Sequence, residues 1–177
     1  MQEVCDCCNA VNDHAHSIEL EGGWVLNHWS SNNENYLGRL VLQTKHHRRN
    51  WNDLSLHEAT TLGINIQRIN GCLRQYWSMR FPDDSIEQIY AVYFNEYPYK
   101  KGKSTEEIHK YLHVHVHLLT RTRNMRTAKG FDKKNLGWKL IDYIKCFPDD
   151  YQILDSGHYN KVKEMMEYLR RSLTNKK

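Results

Sequence analysis

The sequence predicts an α+β fold, in which a long helix packs on an antiparallel sheet and further helices follow at the C-terminus. Short strand-like runs come first, around the dipeptide Gly22-Gly23. Ser55-Leu56-His57-Glu58 is a capping-box pattern, and it opens a segment with apolar residues at helical spacing. Two more strand-like runs and then helical runs follow. This order favours an antiparallel sheet over alternating strand–helix units.

Each element has its own local signal. Polar residues 1–16 and Asn32–Asn35 predict loops, Gly22-Gly23 a hairpin turn, and Pro82-Asp83-Asp84 another turn. Runs rich in β-branched and aromatic residues predict the strands Ser17–Leu20, Trp24–Trp29, Leu37–Thr44, Ile86–Asn95 and Tyr111–Thr120. Helical periodicity predicts Leu56–Trp77, with Leu62, Ile66, Ile69 and Leu73 on one face, as well as Leu136–Phe147 and Lys161–Leu173. In the last helix one face carries Val162, Met165, Met166, Leu169 and Leu173.

Length and composition indicate one globular domain. The chain has 177 residues, 40% of them apolar, and a formal net charge of +4. We expect a single domain over residues 1–177, in which about residues 125–177 form a helical C-terminal extension. The mild positive charge suits an anionic ligand.

The cysteines and the N-terminus indicate the compartment. Three of the five cysteines crowd into residues 5–8, which is a poor disulfide framework. Residues 1–16 lack the basic and apolar stretches of a signal peptide, and no run reaches the length of a membrane span. We therefore expect a cytoplasmic protein with no membrane partner.

The segment Tyr111–Leu119 places three histidines on one side of a strand. Side chains alternate along a strand, so His113, His115 and His117 share one face, opposite a row of apolar residues. Imidazoles in a row lower one another's pKa, and neutral imidazole is the form that acts as nucleophile or metal ligand. Their spacing of about 6.5 Å is too wide for all three to bind one ion. A solvated strand face that happens to carry histidines is the alternative.

The run His-apolar-His-apolar-His-apolar-apolar resembles the signature of the histidine triad (HIT) family. Gly38–His47 is similar to the family's strand ending in Lys-x-His, and Asp53–Glu58 resembles the start of the helix that follows it. The resemblance implies that His115 attacks the α-phosphorus of a nucleotide and forms a nucleotidyl-histidine. It also implies that His117 contacts the phosphate oxygens and that Asn95 lies near the ribose and phosphate.

The sequence departs from the family just before the triad. Many relatives have a Gly-Gln-Ser-Val-like run there, in which Ser or Gln assists the leaving group. Ile108-His109-Lys110-Tyr111 stands in its place. His109 or Lys110 is therefore the expected source of this assistance, unless the assistance is weak.

Cys5-x-x-Cys8 is half of a tetrahedral zinc site, and histidines would have to supply the rest. A mobile N-terminus with free thiols is the alternative. The resemblance to the zinc-binding subset of the family implies a structural zinc with a defined ligand set. Carried onto this chain, the set is Cys5, Cys8, His47 and His113. His46 could replace His47, and Cys7 is an alternative thiolate.

The resemblance implies a hydrolase that cleaves a dinucleoside polyphosphate or a nucleotidyl conjugate at the α-phosphate. A uridylyltransferase-like nucleotidyltransferase is a second hypothesis, although those enzymes have a residue other than His at the third triad position. A nucleotide-binding protein with little turnover is a third. The family branch that repairs nucleic-acid ends has a zinc finger after the triad. No such spacing follows Leu119, so nucleic acid is not an expected partner. A homodimer is expected because many members of the family are two-fold dimers.

Overall fold

The computed structural model describes residues 5–12, 17–28, 35–93, 112–124, 152–153 and 159–174. In these ranges the helices are α1 (Asp6–Val11), α2 (Leu56–Arg80) and α3 (Tyr159–Thr174), and a short 3-10 turn spans Trp51–Asp53. The strands are β1 (Ser17–Leu20), β2 (Trp24–His28), β3 (Asn35–Tyr36), β4 (Arg39–Thr44), β5 (Ile86–Tyr93), β6 (His115–Thr122) and β7 (Gln152–Ile153). The fold is α+β, as the sequence predicts.

Within the described residues, five strands form one sheet in the order β1-β2-β4-β6-β5. Every neighbouring pair is antiparallel, which confirms the predicted sheet type. β3 and β7 form a separate two-stranded ladder. This order places β6 between β4 and β5, so the histidine-bearing strand has a hydrogen-bonded neighbour on each side.

One face of the sheet carries the hydrophobic core. Leu26, Leu40, Leu42, Val116 and Leu118 are buried there, and they cluster with residues of both long helices. The predicted apolar face of α3 joins the same cluster, since Val162, Met165, Met166, Leu169 and Leu173 are all buried. The long helix therefore packs on the sheet as expected, and the C-terminal helix shares its core.

The helix α2 begins where the sequence predicts and ends later. The Ser55 hydroxyl accepts from the Glu58 amide while the Glu58 carboxylate accepts from the Ser55 amide, which completes the capping box. The helix runs to Arg80, one turn beyond the predicted end at Trp77, because the residues after Trp77 continue the backbone ladder until Pro82 approaches.

The buried face of α2 differs from the predicted one. Ile69 and Leu73 are fully buried, but Leu62 and Ile66 are only partly buried at the margin of the core. Thr61 and Asn65 occupy the buried line instead. The reason is the β1–β2 turn, which lies against this part of the helix: the Asn65 amide donates to the carbonyl of Glu21 at 2.8 Å.

Further local predictions are wrong. Residues 6–11 form α1 rather than a loop, because the Cys5 sulfur accepts from the Cys8 amide and caps the helix. Asn35 lies in β3 rather than in a loop, since it pairs with Ile153. β6 begins at His115 rather than at Tyr111, because the Val114 amide donates to the carbonyl of Arg48, in a loop, at 2.7 Å.

Some predicted elements lie outside the described residues: the helix Leu136–Phe147, the end of the strand at Asn95, and Trp29. Among the described helices, none has both the length and the apolar character needed to cross a membrane.

Gly22 has no room for a side chain. It sits in the predicted turn at φ +75°, and a Cβ on it would lie 1.8 Å from the Thr61 hydroxyl oxygen. We expect Gly22→Ala to lower the free energy of unfolding by about 2–4 kcal/mol, from left-handed strain and overpacking. Gly63→Ala is the control, because within the described residues no atom outside its own stretch of helix backbone lies within 4 Å of its added Cβ. The free energy of unfolding of this control should rise by up to about 1 kcal/mol. Urea unfolding of both variants measures this, and equal stabilities would contradict the close approach.

Candidate functional site

Two cysteines and two histidines from distant parts of the chain meet at one point. The donor atoms of Cys5, Cys8, His47 and His113 all lie within 4.8 Å of one another. The His47 Nδ1 is 3.5 Å from the Cys5 sulfur and 3.2 Å from the Cys8 sulfur. The His113 Nδ1 is 3.4 and 3.5 Å from the same two sulfurs. These separations are close to the edges of about 3.5 Å expected around a tetrahedral zinc with bonds of about 2.1 and 2.3 Å. The group could therefore hold a metal ion.

Three segments deliver these ligands. Cys5, at the cap of α1, and Cys8, in its first turn, are three residues apart and therefore lie on the same side of the helix. Their sulfurs are 3.1 Å apart. His47 follows β4, and His113 lies just before β6. Of the alternatives that the sequence left open, the group contains His47 and not His46, and Cys8 and not Cys7.

The His113 ring is held in one orientation by Thr44. Its Nε2 lies 2.8 Å from the Thr44 carbonyl oxygen and 3.0 Å from the Thr44 hydroxyl. A carbonyl only accepts, so Nε2 carries the proton and Nδ1 presents its lone pair to the sulfurs. Burial lowers the pKa of His113 to about 4, against the Thr44 hydrogen bond that raises it. The ring is thus the neutral donor that a metal requires.

The thiols complete a donor set suited to a soft divalent cation. Burial, then the hydrogen bond and charge of Cys5, raise the pKa of Cys8 to about 12. A cation among the four donors would reverse this, because a coordinating thiol is deprotonated. Two sulfurs and two imidazole nitrogens in a closed set of four are the chemistry of a structural zinc site.

His115 and His117 lie next to this group, on β6. The His115 Nδ1 donates to the carbonyl oxygen of His113 at 2.7 Å. Its ring meets that of His117 edge to face, with 5.0 Å between centroids. With Nδ1 protonated, the Nε2 of His115 has the free lone pair of a nucleophile.

Both imidazoles are held neutral. Burial lowers the pKa of His115, against the His113 carbonyl, which raises it. Burial, and after it the charges of His115 and Arg39, lower the pKa of His117 to about 3. The first and last triad histidines are buried, and His115 is partly accessible. The histidines therefore do not form a solvated strand face.

No protein-family model matches the sequence, and no curated protein is significantly similar to it in sequence. Solved structures are similar in fold. A Hit-like protein from Bartonella henselae, described as involved in cell-cycle regulation and as having an unknown ligand, superposes with a TM-score of 0.50. The match covers 89% of this chain and 86% of that protein, at 13% identity. The fold is HIT-like.

A uridylyltransferase superposes with a TM-score of 0.57 over 96% of this chain, at 14% identity. This chain spans 45% of the length of that protein. At such identities both likenesses concern the fold alone.

A polar bridge ties α1 to the histidine face of the sheet. The Gln43 amide donates to the Asn27 Oδ1 at 2.8 Å, and the Asn27 Nδ2 donates to the Ala10 carbonyl at 3.0 Å. Gln43 is directly opposite His115 in the β4–β6 register, so its side chain is on the same face of the sheet as His115. The bridge thus joins the helix that carries the cysteines to the strand beside His115.

The remaining predicted substrate residues, Asn95, His109 and Lys110, lie outside the described residues. Thr44, Asn27 and Gln43 are site residues that the sequence reasoning missed. Asn27 and Gln43 did carry a signal, because each is a polar residue that directly follows three apolar residues within a strand run.

Removing the bridge should loosen α1. Asn27 is 5% exposed, so Asn27→Ala leaves the Ala10 carbonyl and the Gln43 amide without these bonds. We expect the free energy of unfolding to fall by about 2–4 kcal/mol and the backbone amides of α1 to exchange hydrogen faster. Asn52→Ala, at an exposed position, should change stability by less than about 0.5 kcal/mol. Unchanged exchange in α1 would show that the bridge does not hold the helix.

Proposed function

We propose that this protein is a nucleotide hydrolase that cleaves at the α-phosphate of a dinucleoside polyphosphate or a nucleotidyl conjugate. The observation that carries the proposal is the 2.7 Å hydrogen bond from the His115 Nδ1 to the His113 carbonyl, since it aims a neutral Nε2 away from the strand. The HIT-like fold and the similarity of that fold to a uridylyltransferase support the substrate class.

The reaction has two displacements. In the first, the Nε2 of His115 forms a bond to the α-phosphorus while the bond from that phosphorus to the leaving-group oxygen breaks. In the second, a water oxygen attacks the same phosphorus, the phosphorus–nitrogen bond breaks, and the nucleoside monophosphate leaves. With diadenosine tetraphosphate the products are AMP and ATP. A covalent step of this kind divides one difficult displacement into two easier ones.

The protein's part is mainly positioning and charge stabilisation. We assign to His117, whose ring centroid is 5.0 Å from that of His115, a hydrogen bond to a phosphate oxygen. We assign Asn95 to the ribose and phosphate, and His109 and Lys110 to the leaving group. These three assignments rest on the resemblance of the sequence to the family.

We assign a structural zinc to Cys5, Cys8, His47 and His113. Two thiols and two neutral imidazoles with donor atoms within 4.8 Å fit that ion. When bound, it would fill its coordination shell with protein ligands and brace the segment before β6. His113 would then hold its backbone carbonyl, and with it the His115 ring, in place.

Nucleotidyl transfer to an acceptor other than water is a second candidate. The similarity of the fold to that of a uridylyltransferase, with a TM-score of 0.57, supports it. His117 at the third triad position is evidence against it. A nucleotide-binding protein with little turnover would form label on His115 and release the leaving group once, without releasing AMP. The homodimer, the cytoplasmic location and the extension over residues 125–177 remain proposals.

The nucleophile is tested with diadenosine tetraphosphate labelled in the adenosine. Wild type should release AMP and carry acid-labile label, and His115→Ala should lose about 10³-fold or more of both activities. His57→Ala, at an exposed position on α2, should behave as wild type. Hydrolysis by His115→Ala at the wild-type rate would refute the mechanism. Label that forms and persists would favour the binding protein. Transfer of the label to an added acceptor would favour the transferase.

The metal assignment is tested by elemental analysis of protein purified without chelator. Wild type should contain about one zinc per chain, and Cys5→Ser/Cys8→Ser should contain none. Cys72→Ser on α2 should keep its zinc, because Cys72 is not part of the group. A zinc-free wild type, or a double variant that retains zinc, would remove the assignment.

A further inference from the structure

A positively charged side chain, that of Arg39, lies on the histidine face of the sheet. It belongs neither to the triad nor to the group of candidate metal ligands. Arg39 is the first residue of β4, and it is partly buried. In the ladder between β4 and β6, Val41 is opposite His117 and Arg39 is opposite Leu119. Side chains two residues apart on a strand share a face, so Arg39 is on the same face as His115 and His117.

The register places this guanidinium beside the third triad histidine. A diagonal pair across two antiparallel strands has Cβ atoms about 7 Å apart, which a long side chain such as arginine can span. In keeping with this proximity, the charge of Arg39 contributes to lowering the pKa of His117, although burial is the main cause. The arginine head group therefore lies near the end of the histidine pair away from His113.

The proposed reaction needs a cation at this point. The transferred phosphoryl group carries negative charge on its non-bridging oxygens, and electrostatic stabilisation of that charge is a large part of catalysis. His115 has to be a neutral imidazole to attack phosphorus as a nucleophile, so it brings no positive charge to the phosphate. A guanidinium is always charged and matches the geometry of phosphate oxygens.

Another arginine on this face offers a comparison. Arg121 is on β6, two residues beyond Leu119, and its guanidinium carbon is 5.9 Å above the ring of Tyr90. Its Nη2 is 3.5 Å from a carboxylate oxygen of Glu87, so part of its charge is compensated within the sheet. Arg121 lies farther from the His115–His117 pair along the strand, and it serves as the matched control.

We propose that Arg39 binds the non-bridging oxygens of the α-phosphate that His115 attacks, and so supplies a positive charge beside the reacting phosphorus. The inference rests on the proposed function. It assigns the site to an anionic phosphate ester, held by Arg39 on one side and attacked by His115 on the other.

The test follows the rate of label formation on His115 with diadenosine tetraphosphate. Arg39→Gln should slow labelling about 100-fold, as expected for loss of one transition-state donor. Arg39→Lys should recover part of the rate, because it restores the charge without the forked donors. Arg121→Gln should label at the wild-type rate. Thermal unfolding of each variant establishes that the protein is folded.

A phosphorothioate experiment separates contact with the phosphate from a structural role. Sulfur in place of one non-bridging oxygen of the α-phosphate should slow wild type for one diastereomer. That difference between diastereomers should shrink in Arg39→Gln and persist in Arg121→Gln. A folded Arg39→Gln that labels as fast as wild type, or that keeps the full difference, overturns the proposal.

Binding separates failure of this inference from failure of the proposed function. AMP and adenosine are titrated into wild type and Arg39→Gln, a measurement that needs no turnover. Wild type should bind AMP at least about 10-fold more tightly than adenosine, since a charge-assisted contact to phosphate is worth a factor of about that size. Arg39→Gln should lose the preference. If wild type fails to label but shows this pattern, only the hydrolase is refuted. If Arg39→Gln keeps the preference, or wild type has none, Arg39 has no such role.

Discussion

His113 is the residue on which the candidate site depends. Its Nε2 is tied to the Thr44 carbonyl, its Nδ1 faces the two cysteine sulfurs, and its backbone carbonyl accepts from the His115 ring. One residue therefore joins β4, the cysteine group and the candidate nucleophile. A rotation of this imidazole would disturb the donor set, and a shift of its backbone would disturb the tautomer of His115.

The two faces of the sheet meet different requirements. The core face is apolar, and its burial against α2 and α3 supplies the main driving force for folding. The histidine face is also largely buried but carries polar groups, which must find hydrogen bonds. Asn27 and Gln43 satisfy each other and the Ala10 carbonyl there, so α1 is fastened to the sheet by polar contacts. This arrangement leaves a low-dielectric surface in which imidazoles stay neutral and nearby charges interact strongly.

The strand order sets the positions of the groups that we propose for catalysis. β6 lies between β4 and β5, which brings Arg39 and Gln43 alongside the histidines although more than 70 residues separate the strands in sequence. An irregular start to β6 lets His113 leave the ladder and turn to the cysteines, while His115 and His117 remain within it. The same strand thus serves the candidate metal centre at its start and the candidate nucleophile in the ladder that follows.

The sequence by itself determined the fold class, the hairpin turn at Gly22-Gly23, the capped start of α2 and the buried face of α3. These features depend on local periodicity and on residues with special backbone behaviour, which can be read without knowledge of the partners. Only the tertiary structure decided that residues 6–11 form a helix, that His47 rather than His46 joins the cysteines, and that Thr61 and Asn65 replace Leu62 and Ile66 on the buried line. Each of these outcomes depends on contacts between segments far apart in the chain. The position of Arg39 near His117 could not be predicted from the sequence either. It follows from strand register, which the pattern of one strand does not specify.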